Sequence, residues 1–117
     1  MTVVIYHNPR CAKSRETLQL VQAKGHTPQV IEYLKTPPSA AELKKILALL
    51  GVSPRELMRN KEAAFKELGL DNPKLTDAQL ITIMVENPVL IERPVVVVDG
   101  KKAAVGRPPE SVLKILG

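Results

Sequence analysis

One cysteine occurs in the 117 residues, and it lies in the stretch Tyr6-His7-Asn8-Pro9-Arg10-Cys11-Ala12-Lys13-Ser14-Arg15. A cysteine acts as a nucleophile only as its thiolate, and a free thiol with a pKa of about 8.5 is only about 3% ionised at pH 7. Chemistry at Cys11 therefore needs surroundings that favour negative charge. Arg10, Lys13 and Arg15 crowd the same turn, and no acid appears before Glu16. His7 lies four residues upstream and can add charge or a hydrogen bond if the loop curls back over the sulfur. Two plainer readings stand beside these: a buried structural thiol at Cys11, and a loop histidine at His7 with no part in chemistry.

The elements around the turn decide between them. Thr2-Val3-Val4-Ile5-Tyr6 is a β-branched run that predicts a buried strand. Ser14 through Lys24 predicts a helix with Leu18 and Val21 on one face, stopped by Gly25. Cys11 then falls where a strand turns into a helix. Backbone N–H groups there lack intrahelical partners and the helix dipole adds partial positive charge, so both favour a thiolate.

Composition narrows the function classes. At 117 residues, 44% apolar and 25% charged, the chain predicts one globular domain, residues 1–117. No run approaches the roughly 18 apolar residues of a membrane span, and the start lacks a signal-peptide pattern. The expectation is a cytoplasmic protein without a membrane partner. A single cysteine excludes an internal disulfide and a cysteine-based metal cluster, so no metal site is expected. Any redox cycle then requires a thiol from another molecule. The net charge of +5 comes with only three aromatic residues and interleaved acids, so a small anion is a better partner than nucleic acid. Lys44, Lys45, Lys61 and Lys66 read as solvated helix exteriors.

Along the rest of the chain, Gln29 to Leu34 predicts a second strand, which with the first makes a parallel βαβ unit. Ser39, Ser53 and Thr76, each followed three residues later by Glu or Gln, are capping boxes. They open helices in a helical insertion spanning about 39–87; a further helix is expected from Lys61 to Leu68. Pro94 to Val98 predicts a third strand, Asp99-Gly100 a two-residue hairpin, and Lys102 to Val105 the returning strand. Gly106-Arg107-Pro108-Pro109 leads into a final helix with Val112, Ile115 and Leu116 on its apolar stripe.

This order, β-α-β, helices, β-β-α, with a cysteine opening the first helix, is the thioredoxin-like plan: α/β with a four-stranded mixed sheet. The chain resembles the glutaredoxin-dependent arsenate reductase (ArsC) family over essentially its whole length. The resemblance rests on Tyr6-His7-Asn8-Pro9-x-Cys11-x-x-Ser14-Arg15, Leu57-Met58-Arg59, Glu92-Arg93-Pro94 and Gly106-Arg107-Pro108. It implies that Cys11 is the nucleophile and that His7 helps set its pKa. It further implies that Arg59, Arg93 and Arg107 converge on an oxyanion and that Pro94 is the cis-proline facing the thiol, with Asn8, Ser14 and Arg15 in support. Ser14 stands where a CxxC pair has its second cysteine, so it cannot resolve a disulfide. A hydroxyl hydrogen bond to the sulfur or to the first-turn backbone is expected instead.

The activity implied is reduction of arsenate to arsenite through a thiol-arsenate adduct. Glutathione is the co-substrate, glutaredoxin the partner, and no cofactor is tightly bound. Two departures bear on the substrate. Arg10 and Lys13 replace small residues, and the chain ends soon after the last helix; a more basic mouth favours glutathione's carboxylates or a different oxyanion. The alternatives are an Spx-type regulator that binds RNA polymerase, and a glutathione-dependent thiol reductase with another substrate. Spx-type proteins usually carry CxxC without the three arginines, which favours the enzyme reading.

Overall fold

In the computed structural model, which describes residues 1–117, strand β1 (Val3–His7) buries Val3, Ile5 and His7 and leaves Val4 and Tyr6 half-buried. This two-residue alternation sets the layers. The elements that follow are α1 (Ala12–Ala23), β2 (Gln29–Glu32), α2 (Ala40–Leu50), α3 (Pro54–Leu57), α4 (Ala63–Glu67), α5 (Asp77–Glu86), a 3₁₀ turn (Pro88–Leu90), β3 (Val95–Val98), β4 (Lys102–Val105) and a 3₁₀ helix (Pro109–Ile115). They form two compact units, Met1–Thr36 with Arg93–Gly117, and Pro37–Glu92. No helix is long and apolar enough to cross a membrane.

The first unit holds a four-stranded mixed sheet in the order β2-β1-β3-β4, with β1 and β2 parallel and the other pairs antiparallel. This is the thioredoxin-like arrangement. Register puts Val3 opposite Val98, Ile5 opposite Val96, and Val96 opposite Ala104, so these five residues share one face. Val21 of α1 and Val112, Ile115 and Leu116 at the chain end complete the core on that face. Each fully buried Val or Ile contributes about 1.5–3 kcal/mol. Asp99 and Gly100 close the β3–β4 hairpin with φ of 53° and 63°, the two positive values that a type I′ turn demands.

The second unit is helical. All three capping boxes form, with Ser39, Ser53 and Thr76 each accepting from the backbone N–H three residues on. Helix α2 packs on α5 and buries Leu43, Ile46 and Leu47, while α5 buries Leu80 and Met84. A single β-bridge joins Met58 to Ile91, flanked by the Arg59 N–H donating to the Leu90 carbonyl and the Glu92 N–H to the Leu57 carbonyl. The unit thus runs on to Glu92, because this bridge ties the residues after α5 back to those after α3.

Several boundaries differ from the sequence reading. Helix α1 starts at Ala12 rather than Ser14, since Cys11 itself takes the extended backbone of an N-cap. Strand β2 stops at Glu32 because the Lys35 and Thr36 N–H groups both donate to the Glu32 carbonyl and turn the chain. Helix α4 is shorter than expected, Ala63–Glu67. Strand β3 begins after Pro94, which has no N–H for a ladder. The closing helix is 3₁₀ rather than α. Its buried residues Pro109, Val112 and Ile115 are spaced by three, and three residues per turn align them on one edge.

Candidate active site

The loop between β1 and α1 is fixed by Asn8. Its Oδ1 accepts from the Arg10 N–H at 3.0 Å and its carbonyl accepts from the Cys11 N–H at 3.0 Å, an Asx turn inside a backbone turn. Cys11 is half-buried at the N-cap of α1, with its sulfur at the open end of the helix beside the first N–H groups. Burial pushes this thiol up. The Ser14 N–H, the Arg93 guanidinium and the Lys13 N–H outweigh that and hold it below its ordinary value.

A second arginine reaches the same atom. Arg107 Nη2 donates to Cys11 Sγ at 3.5 Å, and its Nε donates to the Arg93 carbonyl at 2.8 Å. One guanidinium is thereby braced against the backbone of the residue that carries the other. Both arginines precede cis peptide bonds, Arg93-Pro94 and Arg107-Pro108, so Pro94 is cis as the resemblance implied. The Gly106 N–H donates to the Pro94 carbonyl at 2.9 Å and joins the two segments. Gly106 is buried, and a Cβ on it would lie 2.8 Å from Pro94 Cγ and 2.9 Å from Thr17 Cγ2. Only glycine lets this segment lie so close to α1 and Pro94.

Behind the sulfur lies a buried polar cluster. Strand alternation puts His7 on the face of Val3 and Ile5, under α1, whose buried residues are Ser14, Thr17 and Val21. His7 Nδ1 and Ser14 Oγ share a 2.6 Å hydrogen bond, and Ser14 Oγ also accepts from the Asn8 N–H at 3.0 Å. Burial lowers the His7 pKa; Glu32, its register partner on β2, pulls upward and Arg15 downward. Burial thus biases His7 toward its neutral form. Of the two roles open to His7 from the sequence, charge or a hydrogen bond, the structure shows a hydrogen bond, made to Ser14. The Ser14 hydroxyl does not cap the first turn of α1: it turns back to Asn8 and His7, and the Ser14 backbone N–H acts on the sulfur.

The remaining expected residues divide. Arg15 Nη1 donates to the Pro9 carbonyl at 2.9 Å and so supports the loop. Lys13 pairs loosely with Glu16 at 3.8 Å on the surface. Arg59 lies in the helical unit, where its Nε bonds Glu62 at 3.0 Å and its Nη1 bonds Glu92 at 2.6 Å. The Met58–Ile91 bridge sets Arg59 and Glu92 side by side, which accounts for that pair. No group of three or more His, Cys, Asp or Glu side chains is placed to hold a metal ion. Sequence reasoning passed over Thr17 and gave Gly106 no role of its own beyond its motif. The spacing Ser14-Thr17-Val21 was the available signal, since it marks one helical face as well as Leu18 does.

Within the sheet unit, then, a thiol biased toward its anion meets two guanidinium groups and the open N–H groups of a helix. Such a set suits a nucleophile that attacks an anionic, oxygen-rich electrophile.

Comparison with known proteins agrees with this architecture. Residues 6–115 match the model of the ArsC family. The chain is 56% identical to the uncharacterized protein YfgD of Escherichia coli strain K12, over 98% of this chain and 97% of that one. It is 49% identical to a protein of Haemophilus influenzae named arsenate reductase, over 99% of this chain and 100% of its relative. A solved structure titled arsenate reductase from Vibrio cholerae superposes with a TM-score of 0.95 at 54% identity, covering 98% of each chain. On the breadth of that match and the motifs that carry it, this chain belongs to the ArsC family.

Proposed function

We propose that this protein reduces arsenate to arsenite, with Cys11 as nucleophile, glutathione as co-substrate and glutaredoxin as the protein that completes the cycle in the cytoplasm. The carrying observation is the pair of guanidinium groups, Arg93 and Arg107, on a thiol held below its ordinary pKa. The names of the H. influenzae and V. cholerae relatives favour arsenate as the oxyanion.

In this reading the Cys11 thiolate attacks arsenic(V). A sulfur–arsenic bond forms, an arsenic–oxygen bond breaks, and the oxygen leaves as water after taking a proton. The adduct is still arsenic(V). Glutathione's thiol then attacks the Cys11 sulfur, a disulfide forms, and the sulfur–arsenic electron pair passes to arsenic, which leaves as arsenite. Each sulfur loses one electron and arsenic gains two. Because the chain has one cysteine, the mixed disulfide is opened from outside, by glutaredoxin.

A small oxyanion at about 1.5 kcal/mol per heavy atom reaches at most about −7.5 kcal/mol, so binding is expected in the micromolar to millimolar range. The arginines then act chiefly on the charge that develops as oxygen leaves. Arg59 joins the proposal by family resemblance; the reading needs only Arg93 and Arg107. The test is arsenate-dependent NADPH oxidation with glutathione, glutaredoxin and glutathione reductase. Turnover that disappears in Cys11→Ser supports the reading, and no turnover by the wild-type chain overturns it.

A further inference from the structure

We propose that Arg10 selects the co-substrate, by pairing with a carboxylate on the thiol that approaches Cys11. The inference rests on the reading above and names the class of thiol that the same site takes: anionic rather than neutral.

Four of the five cations around the Cys11 turn already hold a partner. Arg93 and Arg107 are on the sulfur itself, where the oxyanion must sit. Arg15 is turned onto the Pro9 carbonyl, and Lys13 is paired with Glu16. Arg10 is exposed, and no acid in the sequence precedes Glu16 to compete for it. Its backbone is not loose. The Arg10 N–H donates to Asn8 Oδ1 at 3.0 Å, and the next N–H, that of Cys11, donates to the Asn8 carbonyl at 3.0 Å. A guanidinium on a flexible stem is thus anchored at a fixed Cα about 3.8 Å from that of Cys11.

The incoming thiol has a geometric constraint of its own. To open the adduct it must approach the Cys11 sulfur from the solvent side, because His7, Asn8 and Ser14 are buried on the other. In a peptide thiol such as glutathione, a carboxylate one residue along from the cysteinyl group lies roughly 3.6 Å further down the chain. That distance is within an arginine's sweep from the neighbouring Cα. Arg10 forks onto a carboxylate as it would onto any planar oxyanion. Being exposed, the pair is worth little in absolute terms and is screened by salt. It selects among thiols without being needed for the reaction.

The experiment separates this claim from arsenate reduction. Cys11 thiolate attacks a disulfide directly, forming a mixed disulfide and releasing one thiolate, and no arsenic takes part. Rates are compared for oxidised glutathione, which is anionic, and 2-hydroxyethyl disulfide, which is neutral, in the wild-type chain, Arg10→Gln and Arg10→Lys. Arg10→Gln is expected to slow the anionic disulfide about two- to fivefold and leave the neutral one unchanged, with Arg10→Lys in between. The wild-type preference for the anionic disulfide is expected to fall as salt rises. In the arsenate assay the KM for glutathione should rise by the same factor while the KM for arsenate holds. Equal slowing of both disulfides, or no change in either, overturns the role of Arg10. Charge selection without arsenate turnover leaves Arg10 standing and overturns the proposed function.

Discussion

Gly106→Ala tests how the site is assembled. The added Cβ would collide with Thr17 Oγ1 and stand 2.8 Å from Pro94 Cγ and 2.9 Å from Thr17 Cγ2, where carbon pairs rest at about 3.5–4.0 Å. Both neighbours are tightly held. Thr17 is buried in α1 with its hydroxyl donating to the Lys13 carbonyl at 2.7 Å, and the Pro94 carbonyl is bonded to Gly106 itself. The Gly106 segment must therefore retreat by at least about 0.7 Å, and overpacking of this kind costs about 1–3 kcal/mol. Arg107, the next residue, reaches Cys11 Sγ at 3.5 Å, already the outer edge of a hydrogen bond, so the same retreat breaks the contact. For a solvent-facing arginine that loss is about 1 kcal/mol, or roughly fivefold in reactivity of the sulfur near neutral pH.

The assay is the rate of Cys11 alkylation against pH, beside thermal unfolding. Gly106→Ala should melt several degrees lower and lose most of what Arg107→Ala loses. The double variant should be little worse than Arg107→Ala alone, because both changes act on one contact. Adding Thr17→Ala to Gly106→Ala removes two of the three close neighbours and should return part of the reactivity. A Gly106→Ala protein with the wild-type alkylation profile and melting temperature would show that the chain absorbs the methyl without moving Arg107, and the argument from close approach would fail.

Other changes probe the remaining parts. Arg93→Ala and Arg107→Ala should each lower kcat/KM for arsenate at least tenfold, about 1.4 kcal/mol apiece, and shift the acid limb of Cys11 alkylation to higher pH; retained turnover would make both residues scaffolding. Ser14→Ala strips the buried His7 Nδ1 and Asn8 N–H of their shared partner and should cost about 1–3 kcal/mol in denaturant unfolding. For His7, burial sets the native pKa below the ordinary 6.5, so as the pH falls the unfolded chain takes up its proton first. The histidine thus leaves stability untouched above that value and erodes it as the pH drops from 6.5 toward the native pKa. His7→Gln should flatten that acid slope in urea midpoints, and an unchanged slope would assign it to other groups.

What could be read from the sequence was mostly local. The capping boxes at Ser39, Ser53 and Thr76, and the Asp99-Gly100 turn, are decided by residues within four positions of one another, and they form as expected. The closing helix was legible in its buried residues but not in its type. Val112, Ile115 and Leu116 fit either period, and Pro109, which joins them at spacing three, looked like punctuation. At Cys11 the electrostatic setting of a helix start was legible, but its partners were not. Arg107 is 96 positions away, and nothing in the spacing of two arginines says that both come back to one sulfur. Family resemblance supplied Arg93, Arg107 and Pro94.

What neither route anticipated is how tightly those segments must close. A helix that buries Ser14 and Thr17 fully and Leu18 only in part, and a glycine whose added methyl would run into Thr17 and Pro94, are properties of surfaces in contact. Polar side chains on a buried helical face look like an exposed face in sequence, and they are buried here because each finds a partner: His7 and the Asn8 N–H for one, the Lys13 carbonyl for the other. That polar packing holds α1 at a fixed height over the sheet. Since the Lys13 and Ser14 N–H groups ride on α1 while Arg93 and Arg107 ride on the segments flanking β3 and β4, the ionisation of Cys11 depends on that height. A volume change at Thr17 should therefore be felt at the sulfur although Thr17 never touches it.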